Sequence, residues 1–284
     1  AATSNGATTL HLGDAASVTA VELDLNGDDT NITVSGASNV TSYKLAGTMA
    51  ATADVVNLGS SGTLAVSNES AIGGSAALQL ETPDATNLTV KLGNTSDIAL
   101  HTITAAKATS LTIGGTDADT AGTQYAGDIS ATTVTAGEAT TITIDTNQGA
   151  VSVPTLTAAK ATSLSIVGDN AVTVGGTAAT TTLLATVDAA TSSGGVTIGQ
   201  AVDLTSSANV TLGTAADTIT LDILTESNVV INAGEHATTD TGVNDTLALA
   251  GANNQGLTVV DLSSTTDQVT QVNGAVNSAA ITNF

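Results

Sequence analysis

The sequence predicts an all-β chain, a parallel β-helix or β-solenoid whose short strands are built from Thr, Val, Ile and Leu. Three observations carry this. The phrase TAAKATSL occurs at 104–111 and again at 157–164, both times running into an alternating apolar stretch. A repeated phrase marks a repeated structural unit before it marks chemistry, because a catalytic centre is assembled once, from unlike residues. Aromatic residues make up 1% of the chain and Trp is absent, which leaves the interior to Val, Ile, Leu and Ala. Such side chains fill narrow stacked layers better than a broad globular centre. Finally, apolar residues alternate with Thr or Ser in strict period two, as in half-buried strands.

A relaxed form of the phrase recurs along the chain. In order, its copies are DDTNITV (28–34), DATNLTV (84–90), KATSLTI (107–113), EATTITI (138–144) and KATSLSI (160–166). Looser relatives are SSANVTL (206–212), ESNVVI (226–231) and NQGLTVV (254–260). The intervals Leu88 to Leu111, Ile142 to Leu164 and Val210 to Val229 are each about two dozen residues or fewer, the length of one solenoid coil. The competing architecture, a β-sandwich array, would pair neighbours antiparallel and bury aromatics. Gly114-Gly115, Gly175-Gly176 and Gly194-Gly195 are expected at corners needing positive φ. Pro83 and Pro154 each precede a strand phrase, and the polar stretch 114–128 reads as a loop insertion. No other linker appears, so residues 1–284 read as one repetitive domain, expected to be part of a longer polypeptide.

Charge narrows the function. Twenty-six acidic residues oppose Lys44, Lys91, Lys107 and Lys160, there is no Arg, and the net charge is −22. Nucleic acid is excluded as a partner, because neutralising phosphates supplies most of that affinity. No apolar run reaches the ~20 residues of a membrane-spanning helix, so no membrane insertion is expected. Cysteine is absent, which removes disulfides, thiolate metal sites and thiol nucleophiles. His11, His101 and His236 share no ligand spacing. A β-helix lyase would need a basic group and a hydrolase a carboxylate pair on adjacent coils, so a non-enzymatic role is favoured over a carbohydrate-active β-helix enzyme.

Unpaired carboxylates suit a hard divalent cation. The sharpest candidates are Asp217 in LGTAADTITL (212–221) and Asp245 in TGVNDTLAL (241–249). Each follows a Gly-containing turn and stands two residues before an apolar residue, Ile219 or Leu247. Stacked turns can offer calcium both carboxylates and turn carbonyls. Asp28, Asp29, Asp117, Asp119, Asp240 and Asp267 are further acidic turn residues. Thr pairs in TIT at 102–104, 141–143 and 218–220 raise an ice-binding hydroxyl ladder, against which outward Thr chosen for strand propensity is the simpler account.

The phrases TAAKATSLTIGG and LTAAKATSLSIVG, the acidic Ala/Thr/Gly/Val-rich composition, the lack of Cys and the closing VNSAAITNF resemble bacterial surface-layer proteins and the related calcium-binding repeat proteins of type I secretion. The resemblance in motifs covers mainly 84–166 and 206–284, the latter being the calcium-repeat-like region. It implies a secreted protein of the outer cell surface that self-associates into a two-dimensional lattice, with calcium holding coils and contacts. It also implies export by a C-terminal signal and attachment to cell-surface polysaccharide through another segment. Against the family nonapeptide G-G-x-G-x-D-x-U-x, Gly213, Asp217 and Ile219 match, while Ala215 stands at a Gly position. In the second copy Asn244, Asp245 and Leu247 match, Gly242 is shifted by one and Val243 replaces a Gly. The resemblance thus implies Asp217, Asp245, Asp240, Asn244, Gly213 and Gly242 as metal-site residues. A stalk or binding region of a large calcium-dependent adhesin shares the same fold and composition and stays open as the alternative.

Overall fold

The computed structural model describes residues 8–13, 16–25, 31–47, 55–72, 78–116, 126–175, 184–199, 202–222, 229–234, 245–250, 257–260 and 277–282. Among them the chain forms two twelve-stranded parallel sheets and no helix. Strands alternate between the sheets along the sequence, so each circuit of the chain adds one strand to each sheet. That is a β-solenoid. One circuit runs from Ile98–Thr104 in the second sheet, through a turn, to Ser110–Thr116 in the first sheet, and on to Ile129–Thr135 above the starting strand.

Alternation of Leu, Ile or Val with Ser, Thr or Asn decides which atoms face inward. In the first sheet Leu64, Leu88, Leu111, Ile142, Leu164, Val187, Val210 and Ile231 stack in register. All eight are 0–1% exposed. A parallel column, Tyr43, Val66, Val90, Ile113, Ile144 and Ile166, lies beside it. Burying a side chain of this kind stabilises by about 1.5–3 kcal/mol. A one-residue slip would turn a whole column to solvent, which is what fixes the register.

The register explains the repeated phrase. Leu111 pairs with Ile142, 31 residues on, and Ile142 with Leu164, 22 residues on. The two TAAKATSL copies are therefore two coils apart, with TAGEATTI stacked between them. The stretch 114–128 falls within the 31-residue coil, but Gly114, Gly115 and Thr116 belong to the strand Ser110–Thr116, and 117–125 lie outside the described residues. Gly114-Gly115 forms a bulge within that strand, where the register slips between Ile113 and Thr116. Both glycines take positive φ, and a Cβ on Gly114 would stand 1.9 Å from the Asp145 carbonyl oxygen.

Other expectations are corrected by the topology. DDTNITV does not stack with the other phrases: its strand Ile32–Ser35 lies in the second sheet. Val210 pairs with Ile231 rather than Val229, so that coil is 21 residues long. Gly194 and Gly195 lack positive φ; Gly194 is required because a Cβ would approach the Asn170 oxygen to 2.1 Å.

In the second sheet the strands Ile98–Thr104 and Ile129–Thr135 each place two successive residues outward, His101-Thr102 and Thr132-Thr133. In the next coil Pro154 divides Val151–Val153 from Thr155–Thr157, and both pieces pair with Ile129–Thr135. The sheet thus folds into two panels. Earlier coils continue one panel and later coils the other, down to Thr246–Ala250. Eleven strands in this path, at about 4.8 Å each, make a rod roughly 50 Å long. At the far end of the first sheet the progression reverses: Val230–Asn232 is flanked by Asn277–Thr282, and that strand by Leu257–Val260.

Candidate functional site

Two corners and two faces carry the polar chemistry. The corner leading from the second sheet to the first is a four-residue turn, Ala105-Ala106-Lys107-Ala108, repeated as 136–139 and 158–161. In each, the N–H of the fourth residue donates to the carbonyl of the first, at 3.4, 3.0 and 2.9 Å. The first and fourth alanines are 0–1% exposed, on the inside of the bend. The threonine that follows is held twice. Thr109, Thr140 and Thr162 each donate both the backbone N–H and Oγ1 to one carbonyl of the coil below, that of Thr86, Thr109 and Thr140 respectively. This accounts for the Thr at 109, 140 and 162 in the phrase.

The third turn position forms a column of alternating charge. Asp84, Lys107, Glu138 and Lys160 occupy equivalent places in four successive coils, as the flanking registers fix. Lys107 Nζ lies 2.6 Å from Asp84 Oδ1, and Lys160 pairs with Glu138. All four side chains remain about half exposed or more.

The opposite corner is stitched by aspartates. Asp97 Oδ1 accepts the Asp128 N–H at 2.9 Å, and Asp128 Oδ1 accepts the Ala150 N–H at 2.9 Å. Further along, Asp217 occupies the inward column of Ile98, Ile129, Val151, Val172 and Val196, where its neighbours are apolar. It is 1% exposed. Its Oδ1 accepts the Val196 N–H at 2.7 Å and its Oδ2 the Gly213 N–H at 3.0 Å. Its own N–H donates to Asp245 Oδ1 at 2.9 Å. Asp217, Asp245 and Gly213 are therefore brought together, through hydrogen bonds. With both oxygens of Asp217 holding backbone donors, the carboxylate ties the Val196 and Gly213 backbone together across the corner. Gly242, Asp240 and Asn244 lie outside the described residues. Among the described residues no three His, Cys, Asp or Glu side chains gather as a metal cluster. His11 Nδ1 lies 3.0 Å from Ser35 Oγ, and His101 is exposed on the second sheet. His236, Asp28, Asp29, Asp117, Asp119 and Asp267 lie outside the described residues.

The outward side of the first sheet carries a carboxyl pair that spacing alone did not reveal. Glu22, Lys44, Ser67 and Lys91 stack in one row. Glu69 reaches Glu22 across the intervening coil, and their hydrogen bond and mutual repulsion push the Glu22 carboxyl above its ordinary value. On the second sheet, Thr102-Ile103-Thr104 stacks with Thr133-Val134-Thr135 and Thr155-Leu156-Thr157. The three TIT segments do not stack on one another. The stack that does exist was hidden because its middle, buried residue varies.

No protein-family model matches the chain, and neither a curated protein nor a solved structure matches it.

Proposed function

We propose that the chain is a structural module of a secreted surface-layer protein, working by lateral contact between copies on the outer cell surface. The observation that supports it is the in-register stacking of successive coils. On the outward side of the first sheet it repeats Thr89, Thr112, Thr143 and Ser165 every ~4.8 Å, the kind of regular spacing that side-by-side packing uses. A net charge of −22 opposes the approach of two such rods. Calcium enters the proposal as the ion that relieves this repulsion by binding carboxylates. Small-angle scattering and negative-stain microscopy on one sample, with millimolar calcium and then chelator, test it. Ordered sheets that dissolve on chelation are expected. A monomeric rod indifferent to calcium would replace the proposal with an adhesin stalk.

A further inference from the structure

We infer that the charged corner is a self-complementary contact, on which a second copy of this chain docks antiparallel. The column reads acid, base, acid, base: Asp84, Lys107, Glu138, Lys160. A two-fold axis passing between the Lys107 and Glu138 coils brings Asp84 against the partner copy's lysine column end, and Lys107 against its central acid. All four encounters then join opposite charges. A parallel, unshifted pairing would instead set every like charge against its own kind. The isologous, antiparallel arrangement is the one the charge order selects.

Two further features fit a close approach. Beside the charged column runs a column of small side chains, Pro83, Ala106, Gly137 and Ala159, none of them buried. No bulky group there would hold a partner off. Two of the chain's four lysines are committed to this strip, in a protein of net charge −22. The pairs already present within one chain, Lys107 with Asp84 and Lys160 with Glu138, leave their side chains 49–65% exposed and able to take a second partner each. The insertion in the longer coil enters between Thr116 and Ala126, at the opposite corner, so its point of entry is away from the strip.

This inference rests on the self-association proposed above, and sedimentation equilibrium of the full chain at low ionic strength separates the two. Wild type is expected to associate, and to dissociate as salt is added. K107E/K160E makes the strip wholly acidic and D84K/E138K wholly basic; each alone should lose about tenfold or more in association constant. The second variant is decisive, because it lowers the net negative charge and would associate more strongly if overall repulsion were the control. A mixture of the two variants should form heterodimers. The fourfold exchange D84K/K107E/E138K/K160E keeps the net charge and restores the alternation, so it should self-associate like wild type. Wild type that associates while D84K/E138K equals it, or while the mixture stays monomeric, overturns the strip and leaves lateral assembly standing. Wild type that stays monomeric in all conditions, calcium included, overturns both.

Discussion

Gly168→Ala should unfold the solenoid at markedly lower denaturant than Gly137→Ala, although both replace a hydrogen by a methyl. Gly168 ends the strand Ser163–Gly168 with φ +120°, a conformation L side chains rarely adopt. A Cβ there would lie 2.4 Å from Asn147 N and from Thr146 C, and 2.6 Å from Thr146 Oγ1. Backbone atoms of the coil below cannot rotate aside. Strain at an unfavourable φ costs about 1–3 kcal/mol and overpacking about 1–3 kcal/mol more, so the loss is roughly 2–6 kcal/mol. Gly137 meets nothing within 4 Å and has no positive φ. The equivalent turn positions in the coils on either side hold Ala106 and Ala159. Its replacement should therefore stabilise by about 0.4–1 kcal/mol, by restricting the unfolded chain.

Urea unfolding followed by far-ultraviolet circular dichroism reads the difference. With a slope of about 2–3 kcal/mol/M, the midpoints of the two variants should separate by roughly 1 M or more, in opposite directions from wild type. The clash exists only if Thr146 lies directly beneath Gly168, 22 residues earlier, as their pairing states. Equal midpoints for the two variants would refute that register, and with it the column of charge built on the same pairing.

Tyr43 donates to the Gly59 carbonyl at 2.7 Å and is 0% exposed, and burial raises its phenol from 10.0 to about 12. The unfolded chain releases this proton first, so stability is fully present below about pH 10 and falls by roughly 2–3 kcal/mol as pH rises to about 12. Phenolate absorbance, assigned with Tyr43→Phe, should show one delayed step, and a step at the ordinary value would refute the burial. Glu69→Gln removes the acid that raises the Glu22 carboxyl, so the Glu22 carboxyl resonance should titrate at lower pH. Because a raised carboxyl favours the protonated form in the folded chain, its contribution is present at low pH and lost as pH rises through the folded value. The variant should flatten that dependence. An unmoved Glu22 resonance would show that the two side chains do not meet.

The first sheet was legible in the sequence because its copies share both inward residues and the turn that precedes them. The Thr before the strand answers to the corner, where it is held twice, and Leu111 or Ile142 to the core, so the phrase carries two constraints at once. The second sheet was less legible. Its strands lack that turn signature, and a bend at Thr102 changes the inward phase by one, which breaks strict alternation. Ile32–Ser35 follows an acidic stretch with the letters of the corner phrase, so letters alone do not separate it from strands of the other sheet. The alternating charges were visible as letters but not as a column, since a 31-residue coil stands between Lys107 and Glu138. The Glu22–Glu69 contact spans two coils and leaves no local pattern at all.

Asp217 separates two accounts of the aspartate corner. As a calcium ligand its worth would depend on the ion; as a hydrogen-bond acceptor it would not. Asp217→Ala leaves the Val196 and Gly213 N–H groups without their acceptor inside the fold, at about 1–3 kcal/mol for each, or roughly 2–6 kcal/mol together. Asp217→Asn keeps one acceptor oxygen but turns an NH2 towards the other N–H, so its loss should also be substantial. Both losses should be the same in calcium and in chelator, measured as shifts of the urea midpoint. A loss confined to calcium-containing buffer would mean that the carboxylate turns from the backbone to the ion, and would restore this corner as a metal site. An equal loss in both buffers would assign the column position to folding alone. Any calcium dependence of assembly would then have to come from the exposed acids along the flanks, where it could be titrated without disturbing the coil.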